Sequence, residues 1–285
     1  MVRVLYFALT TFFLSTQIAF ADSLRVTPEW LKSNLQLKNL VIVDSRPKNE
    51  YDVDHIVGAI NFSDSLTYQQ KSKGGQVVEP DVMQKLMRER GIDYDKLVVI
   101  YDAGQLMDAT RVFWTMEVYG LSNVKILTSG YDNWMKNDYP INSDTPNPKS
   151  SNYIVSVNHR RIASKFSTQL ATKNPRQVVV DARGPDSYQG KQSTATRFGH
   201  IPTAVNYPIT LNIKDNNGIK SLRTIDELKK VYSDLHQDSK VITYCEIGRA
   251  SSTVYFALRE LGYEVANYDA SWREWGNDLS LPIEK

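Results

Sequence analysis

The chain has 285 residues, of which 41% are hydrophobic and 23% are charged, a composition typical of a folded globular protein rather than a disordered one. The 34 basic and 32 acidic side chains leave a net charge of +2, without the basic excess expected of a nucleic-acid-binding protein. The single cysteine excludes an internal disulfide and a zinc site built from several thiolates.

The first 21 residues have the layout of a secretory signal peptide. Arg3 supplies the positive start, an apolar run covers residues 4–14, and Ala19-Phe20-Ala21 is an A-x-A cleavage signal. The apolar run is shorter than the roughly 20 residues that span a bilayer, which favours a cleaved signal over a membrane anchor. We therefore expect an exported protein, periplasmic in a Gram-negative source, whose mature chain begins at Asp22 and is not bound to the membrane.

Short apolar runs rich in β-branched residues alternate with amphipathic stretches along the rest of the chain. The predicted strands cover residues 41–43, 98–100, 124–127, 178–180 and 241–244, and the predicted helices cover residues 80–90, 109–119, 224–233 and 251–261. Gly120 and Gly262 follow two of these helices as C-terminal stops. Runs of this kind are typical of an α/β fold, in which helices cover both faces of a parallel sheet.

Four blocks of the first half recur in the same order in the second half. They pair residues 41–46 with 178–183, 54–61 with 199–206, 98–102 with 241–245, and 130–134 with 271–275. The offset is 137 positions from Asp44 to Asp181, 143 positions from Tyr101 to Tyr244 and 141 positions from Trp134 to Trp275. We interpret the chain as two tandem α/β domains, residues 22–142 and 153–285. The linker, residues 143–152, is rich in Pro, Ser and Asn.

Cys245, the only cysteine, follows a predicted buried strand and precedes a predicted helix. A tight loop that ends at a helix N-terminus presents backbone N–H groups and the positive end of the helix dipole, and both favour a thiolate. Gly248 permits a positive φ, and Arg249 adds a cation. A buried core cysteine is the alternative, but open α/β sheets bind ligands at the carboxyl ends of their strands. The sequence therefore predicts a reactive Cys245, and Asp102 at the same position of the first copy predicts a silent domain.

Together these motifs resemble those of the two-domain rhodaneses, which are thiosulfate sulfurtransferases. The matching segments are Trp30-Leu31, Asp44-x-Arg46, His55-Ile56-x-Gly58-Ala59, Asp181-x-Arg183, Gly199-His200-Ile201-Pro202, the C-x-x-G loop at Cys245 and residues 269–276. The resemblance spans nearly all of the mature chain. It implies two tandem rhodanese-like domains, an inactive first domain, a persulfide-forming Cys245 on a six-residue loop that ends at Ala250, and a substrate-binding Arg183.

The resemblance also implies the chemistry. The Cys245 thiolate would take the outer sulfur of thiosulfate, release sulfite, and pass the sulfur to cyanide, a small thiol or a thiol protein. Arg183 and Arg249 would bind the sulfonate end of the donor. The sulfur anion would be held by the N–H groups of Glu246, Ile247, Gly248, Arg249 and Ala250. No metal, organic cofactor or nucleic acid is expected, and we expect a monomer.

The loop leaves the donor and the use of the cysteine open. Arg249 favours thiosulfate, whereas the acid Glu246 opposes a dianion, so 3-mercaptopyruvate is the alternative donor. A related cysteine phosphatase would need an arginine at position 251, which is serine. A relay module that accepts a persulfide from another protein would use the same cysteine, and turnover of free thiosulfate would separate it from an enzyme.

Structural roles are expected for the remaining regularly placed side chains, as hydrogen-bonding or core residues. They are Asp44, Arg46, His55, Asp181, His200, Trp272 and Trp275. The polar insertion at residues 186–197 is expected to be a solvated loop rather than a wall of the cleft.

Overall fold

The computed structural model describes residues 23–69 and 74–285. The predicted signal peptide lies outside the described residues. No helix in the described part of the chain is both long enough and apolar enough to cross a membrane.

The first domain is a parallel sheet of five strands in the order β1-β6-β5-β2-β4, with helices packed around it. Its strands are β1 (Arg25–Val26), β2 (Leu40–Asp44), β3 (His55–Ile56), β4 (Ile60–Asn61), β5 (Leu97–Tyr101), β6 (Val124–Leu127) and β7 (Ile141–Asn142), of which β3 and β7 form a separate antiparallel pair. Its helices are α1 (Pro28–Asn34), α2 (Lys48–Tyr51), α3 (Pro80–Glu89), α4 (Met107–Val118) and α5 (Gly130–Lys136), with a 3₁₀ turn at Asp64–Thr67.

The second domain repeats this plan, with a parallel sheet in the order β10-β9-β13-β14-β8. Its strands are β8 (Ile162–Ala163), β9 (Gln177–Asp181), β10 (Val205–Asn206), β11 (Ile213–Asn216), β12 (Ile219–Leu222), β13 (Lys240–Tyr244) and β14 (Glu264–Tyr268), of which β11 and β12 form an antiparallel hairpin. Its helices are α6 (Lys165–Ala171), α7 (Pro185–Tyr188), α8 (Ile225–Val231), α9 (Ala250–Glu260) and α10 (Ser271–Trp275), with a 3₁₀ turn at Ile209–Asn212.

The predicted α/β class, the tandem repeat and each predicted strand and helix are confirmed, with element ends shifted by at most two residues. The segment without helix or strand continues beyond the predicted linker, from residue 143 to residue 161. It is not a free tether, because Tyr153 is fully buried and its hydroxyl donates to the carbonyl of Tyr119 over 2.7 Å.

The two domains share one hydrophobic core, in which α4 of the first packs against α9 of the second. Phe113 meets Phe256 edge to face, with ring centroids 4.8 Å apart. At the far end of the same contact, Glu117 accepts hydrogen bonds from Tyr255 and Arg259 over 2.5 and 2.8 Å. Because α9 follows directly on the Cys245 loop, this packing fixes the first domain against the second at the predicted site.

Candidate active site

Cys245 lies directly after the carboxyl end of β13, and its side chain is 3% exposed. The hydroxyl of Ser251 lies 3.5 Å from the Cys245 sulfur and 2.7 Å from Oδ1 of Asn267. Because a serine hydroxyl has one proton, it donates to only one of these two at a time. A thiolate at Cys245 would therefore compete with the closer Asn267 oxygen for the Ser251 proton.

Residues at the start of α10 form hydrogen bonds with the backbone of Cys245, where the loop begins. The backbone N–H of Cys245 donates to the Ser271 hydroxyl over 3.1 Å, and the N–H of Trp272 donates to the Cys245 carbonyl over 2.9 Å. Gly248 has a φ of +76°, and a Cβ at this position would lie 2.7 Å from the Asp269 carbonyl oxygen. The loop therefore requires glycine here, for its backbone angle and for the close approach of Asp269.

The N–H groups of the loop are available to an anion. None of the backbone N–H groups of residues 246–250 donates to an acceptor in the described part of the chain. Ala250, the last of them, opens α9, so the positive end of that helix adds to the loop. This arrangement suits a small anion or the terminal sulfur of a persulfide.

The equivalent loop of the first domain is occupied by its own side chain. The carboxylate of Asp102 accepts hydrogen bonds from the N–H groups of Gly104, over 2.8 Å, and of Asp108 and Ala109, over 3.2 and 3.3 Å. The two loops have the same length between strand and helix, but positive φ falls at Gly104 and Leu106 here rather than at a single glycine. The first copy therefore has no sulfur nucleophile at this position, and the carboxylate of Asp102 takes up three of the N–H groups around it.

Asp102 is held in a setting that disfavours its charge. Burial, followed by the neighbouring Asp108, raises its pKa to about 6, although the loop N–H groups act in the opposite direction. Its carboxylate occupies the place where the loop would hold an anion, and the silence of this copy stays a prediction.

Arg183, predicted to bind substrate, is almost wholly engaged by the protein. Its Nε and Nη2 donate to the Asp181 carboxylate over 2.6–3.1 Å, and Nη2 also donates to the Gly199 carbonyl over 2.8 Å. Burial acts to lower the pKa of Arg183, but Asp181 more than offsets this and the pKa is raised. Only Nη1 faces the loop, 3.5 Å from the Glu246 carboxylate.

Arg249, also predicted to bind the donor, is instead paired across the domain interface. Its Nε donates to Asp108 over 2.7 Å, its Nη2 forms a second bond to the same oxygen, and Asp64 lies 3.3 Å away. The sequence does not reveal this pairing, since both aspartates belong to the first domain. A sulfonate would have to compete with them for Arg249.

The polar insertion at residues 186–197 is exposed to solvent at half of its positions, as a solvated loop is, but it also flanks the predicted site. The hydroxyl of Thr194 donates to the Glu246 carboxylate, and the Ser193 hydroxyl accepts a hydrogen bond from the Trp272 indole over 3.0 Å. Arg197 fastens the insertion by donating to four carbonyl groups of the C-terminal segment. The insertion therefore forms one wall of the site and turns Glu246 toward itself and Arg183.

The first domain also contributes contacts that sequence reasoning missed. Arg111 of α4 reaches the loop and donates to the Gly248 carbonyl over 3.3 Å. Gly75 packs so tightly on Ile247 that an added Cβ would lie 1.8 Å from the Ile247 carbonyl oxygen. The N–H of Val77 donates to Asp269 over 2.7 Å. The one available signal was a lone arginine within the apolar stretch of α4, which marks a buried polar contact.

The residues assigned structural roles have them. Asp44 binds Arg46 as Asp181 binds Arg183, and both histidines are buried and stacked on tyrosines. Trp272 and Trp275 are fully buried, and Trp272 packs against the Arg183 guanidinium. Within the described residues, no three His, Cys, Asp or Glu side chains converge as a metal site would require.

Comparison with known proteins matches both halves of the chain to one family model, the rhodanese-like domain, over residues 27–137 and 163–278. A Haloferax volcanii protein, named by inference as a thiosulfate sulfurtransferase, is 33% identical over 93% of this chain and 98% of its own. A Mycobacterium tuberculosis protein with the same name is 34% identical over 91% of this chain and 96% of its own. A solved Escherichia coli structure, described as a 3-mercaptopyruvate sulfotransferase with the rhodanese fold, matches with a TM-score of 0.79 at 25% identity, covering 88% of this chain and 99% of its own.

Proposed function

This chain belongs to the rhodanese-like domain family, and from that premise we propose that it is a sulfurtransferase that moves the sulfane sulfur of thiosulfate to a thiophilic acceptor through a persulfide on Cys245. The observation that carries the proposal is the only cysteine of the chain at the start of a loop whose N–H groups, over residues 246–250, have no acceptor among the described residues. Curated relatives named for the same activity support it.

The reaction has two displacement steps. In the first, the Cys245 thiolate attacks the outer sulfur of thiosulfate, a new S–S bond forms, and sulfite leaves with the electron pair of the bond that breaks. In the second, cyanide or a thiolate attacks the outer sulfur of the persulfide, and the Cys245 thiolate is released with the electron pair. The loop N–H groups stabilise the negative charge on the terminal sulfur of the persulfide. Before and after each cycle, the Ser251 hydroxyl donates a hydrogen bond to the Cys245 thiolate.

3-Mercaptopyruvate is the second candidate donor, and the pairing of Arg249 favours it. Asp108 and Asp64 already occupy that guanidinium, and Arg183 offers the loop only its Nη1. A carboxylate donor with one negative charge requires less cationic surface than the dianion thiosulfate. The similar Escherichia coli structure is described as acting on this class of compound.

The test assays purified protein of residues 22–285 with thiosulfate and with 3-mercaptopyruvate as sulfur donor. Cyanide is the acceptor, and thiocyanate is the measured product. We expect turnover by the wild type and none by Cys245→Ser, because serine forms no persulfide. Since Cys245 is the only cysteine, intact-mass measurement after donor addition reads its loading directly, as the gain of one sulfur atom. The Ser252→Ala variant, in which the next serine along from Ser251 is changed, is the matched control and should remain active.

Thiocyanate formation that survives in folded Cys245→Ser protein would contradict the mechanism. Loading of Cys245 without turnover of either donor would favour the relay module.

We further propose that the protein is exported by the signal at residues 1–21, acts as a monomer, and uses no cofactor or nucleic-acid partner. Its partners would be a small anionic sulfur donor and, as acceptor, cyanide, a small thiol or a thiol protein.

A further inference from the structure

Arg111 of the silent domain is fully buried at the domain interface. Its Nε donates to the Thr67 hydroxyl over 3.0 Å, its Nη2 to the Gly75 carbonyl over 2.9 Å, and its Nη1 to the Gly248 carbonyl over 3.3 Å. The guanidinium therefore joins three segments of chain, one of which is the loop of Cys245.

The Arg111 guanidinium has no ion-pair partner within the described residues. It lies between the rings of Tyr68 and Trp114, with its central carbon 4.2 and 4.6 Å from their centroids. A buried charge without a counter-ion is costly, and carbonyl oxygens offset only part of that cost. Beside a loop that binds anions, such a charge instead stabilises any negative charge that arrives there.

The titratable groups that face Arg111 come from both domains. They are Asp64, Tyr68 and Tyr119 of the first domain and Asp269 of the second, while Arg249 and Cys245 lie close to the same tyrosine, Tyr68. Burial raises the pKa of Asp269, and Arg111 acts in the opposite direction. The Arg111 side chain is thus the one cation at this junction that the described carboxylates do not pair with directly.

The contact with Gly248 also determines the direction of a loop N–H group. The peptide bond from Gly248 to Arg249 is planar and trans, so the Gly248 C=O and the Arg249 N–H point in opposite directions. Arg111 and Asn267 hold that carbonyl, over 3.3 and 3.0 Å, and so turn the Arg249 N–H away from themselves. In the first copy, the N–H of Leu106 at the equivalent position is among those that stabilise the Asp102 carboxylate.

We propose that Arg111 is a positioning residue for sulfur transfer, supplied to the active site by the inactive domain. It fixes the Gly248 carbonyl so that the loop N–H groups face Cys245, and it places against that loop a positive charge that has no ion-pair partner among the described residues. The proposal rests on the proposed function for its catalytic consequence, but its effect on the cysteine needs no sulfur donor. It gives the silent domain a direct part in the chemistry of its partner.

The test measures the rate of alkylation of Cys245 by iodoacetamide as a function of pH, in the full chain. Arg111→Met and Arg111→Gln remove the charge, and we expect the alkylation profile to move to higher pH and the rate of loading by thiosulfate to fall at least roughly tenfold. Arg111→Lys keeps the charge and should restore the pH profile, with loading only partly recovered because lysine cannot span three carbonyl and hydroxyl acceptors in the same way.

Arg90→Met is the matched control. Arg90 is another partly buried arginine of the first domain that donates to carbonyls, those of Asn61 and Leu86, and among the described residues its hydrogen bonds stay within the first domain. A folded neutral variant of Arg111 with the wild-type alkylation profile would overturn the proposal. Failure of both neutral variants to fold, with Arg90→Met folded, would overturn it too, since the role would then be structural alone. Absence of thiosulfate turnover in the wild type and in every variant would reject the proposed function. The alkylation profiles would still decide whether Arg111 acts on Cys245.

Discussion

Arg46 and Arg183 occupy equivalent positions in the two copies and make equivalent contacts, although only one copy has a cysteine. Each donates Nε and Nη2 to the aspartate two positions earlier and Nη2 to one further carbonyl. A role common to both copies is structural, and it leaves Arg183 one distinctive group, the Nη1 that faces Glu246. The part of Arg183 in donor binding stays a prediction, and it depends on that single N–H group.

The cation best placed to be released for donor binding is Arg249. In Asp108→Asn, the guanidinium loses the charge of the side chain that accepts two of its hydrogen bonds and keeps an ion pair with Asp64, so it should turn more readily to an anionic donor. We expect the KM for thiosulfate to fall by roughly threefold, the size of a partly exposed ion pair, with kcat little changed. Steady-state kinetics would measure this, with the exposed Asp95→Asn as control. An unchanged KM in Asp108→Asn, with Arg249→Gln equally without effect, would remove Arg249 from the donor site.

At the scale of elements, the hydrophobic period was sufficient to predict the strands and helices but not how the helices pair. The α4 stretch has apolar residues on more than one face, and every residue from Ala109 to Val118 is buried, Arg111 and Glu117 included. Such a pattern predicts a helix enclosed in protein, but it does not say which element encloses it. The answer, α9 of the other domain, depends on contacts about 140 positions apart in the sequence, such as Thr110 with Thr253 at 2.9 Å.

The pairing of α4 with α9 predicts that a destabilising substitution in the first domain also destabilises the second. Phe113→Ala leaves a cavity against Phe256 at the centre of the shared core, and we expect a loss of about 3–4 kcal/mol in the free energy of unfolding. Denaturant unfolding should show one cooperative transition in both the variant and the wild type. Phe166→Ala on α6, where the side chain is 68% exposed, is the control and should change stability very little. Two separated transitions in the wild type would show that the domains unfold independently.

For the whole molecule, the repeat in the sequence predicted two domains and identified the one with the nucleophile. It could not predict that the site is shared. The ion pair of Arg249 with Asp108, the contact of Gly75 with Ile247 and the bond from Arg111 to Gly248 all cross the domain boundary. Taken alone, the copies predict one domain with a reactive cysteine and one without, whereas in the structure residues of the first domain contact the Cys245 loop as well.

The shared boundary also makes the stability of the molecule depend on pH through Asp64. Burial, followed by Asp108, raises the pKa of Asp64 from 3.8 to about 6, against the opposing effect of Arg249 and Arg111. A carboxyl group with a raised pKa binds its proton more tightly in the folded state, so the folded state is favoured as the pH falls from about 6 toward 3.8 and is penalised above that window.

Asp64→Asn removes this titration. Relative to the variant, the wild type should therefore gain stability as the pH is lowered through the window from 6 to 3.8, by at most about 3 kcal/mol. Asp102, whose pKa is also raised to about 6, titrates in both proteins and so largely cancels from the difference. Urea unfolding at a series of pH values would measure the effect, with Asp95→Asn as the exposed control. The free energy of unfolding against pH should run parallel for the wild type and Asp95→Asn. If it also runs parallel for Asp64→Asn, the pKa of Asp64 is not raised at the interface, and Asp108 alone is the acidic partner of Arg249.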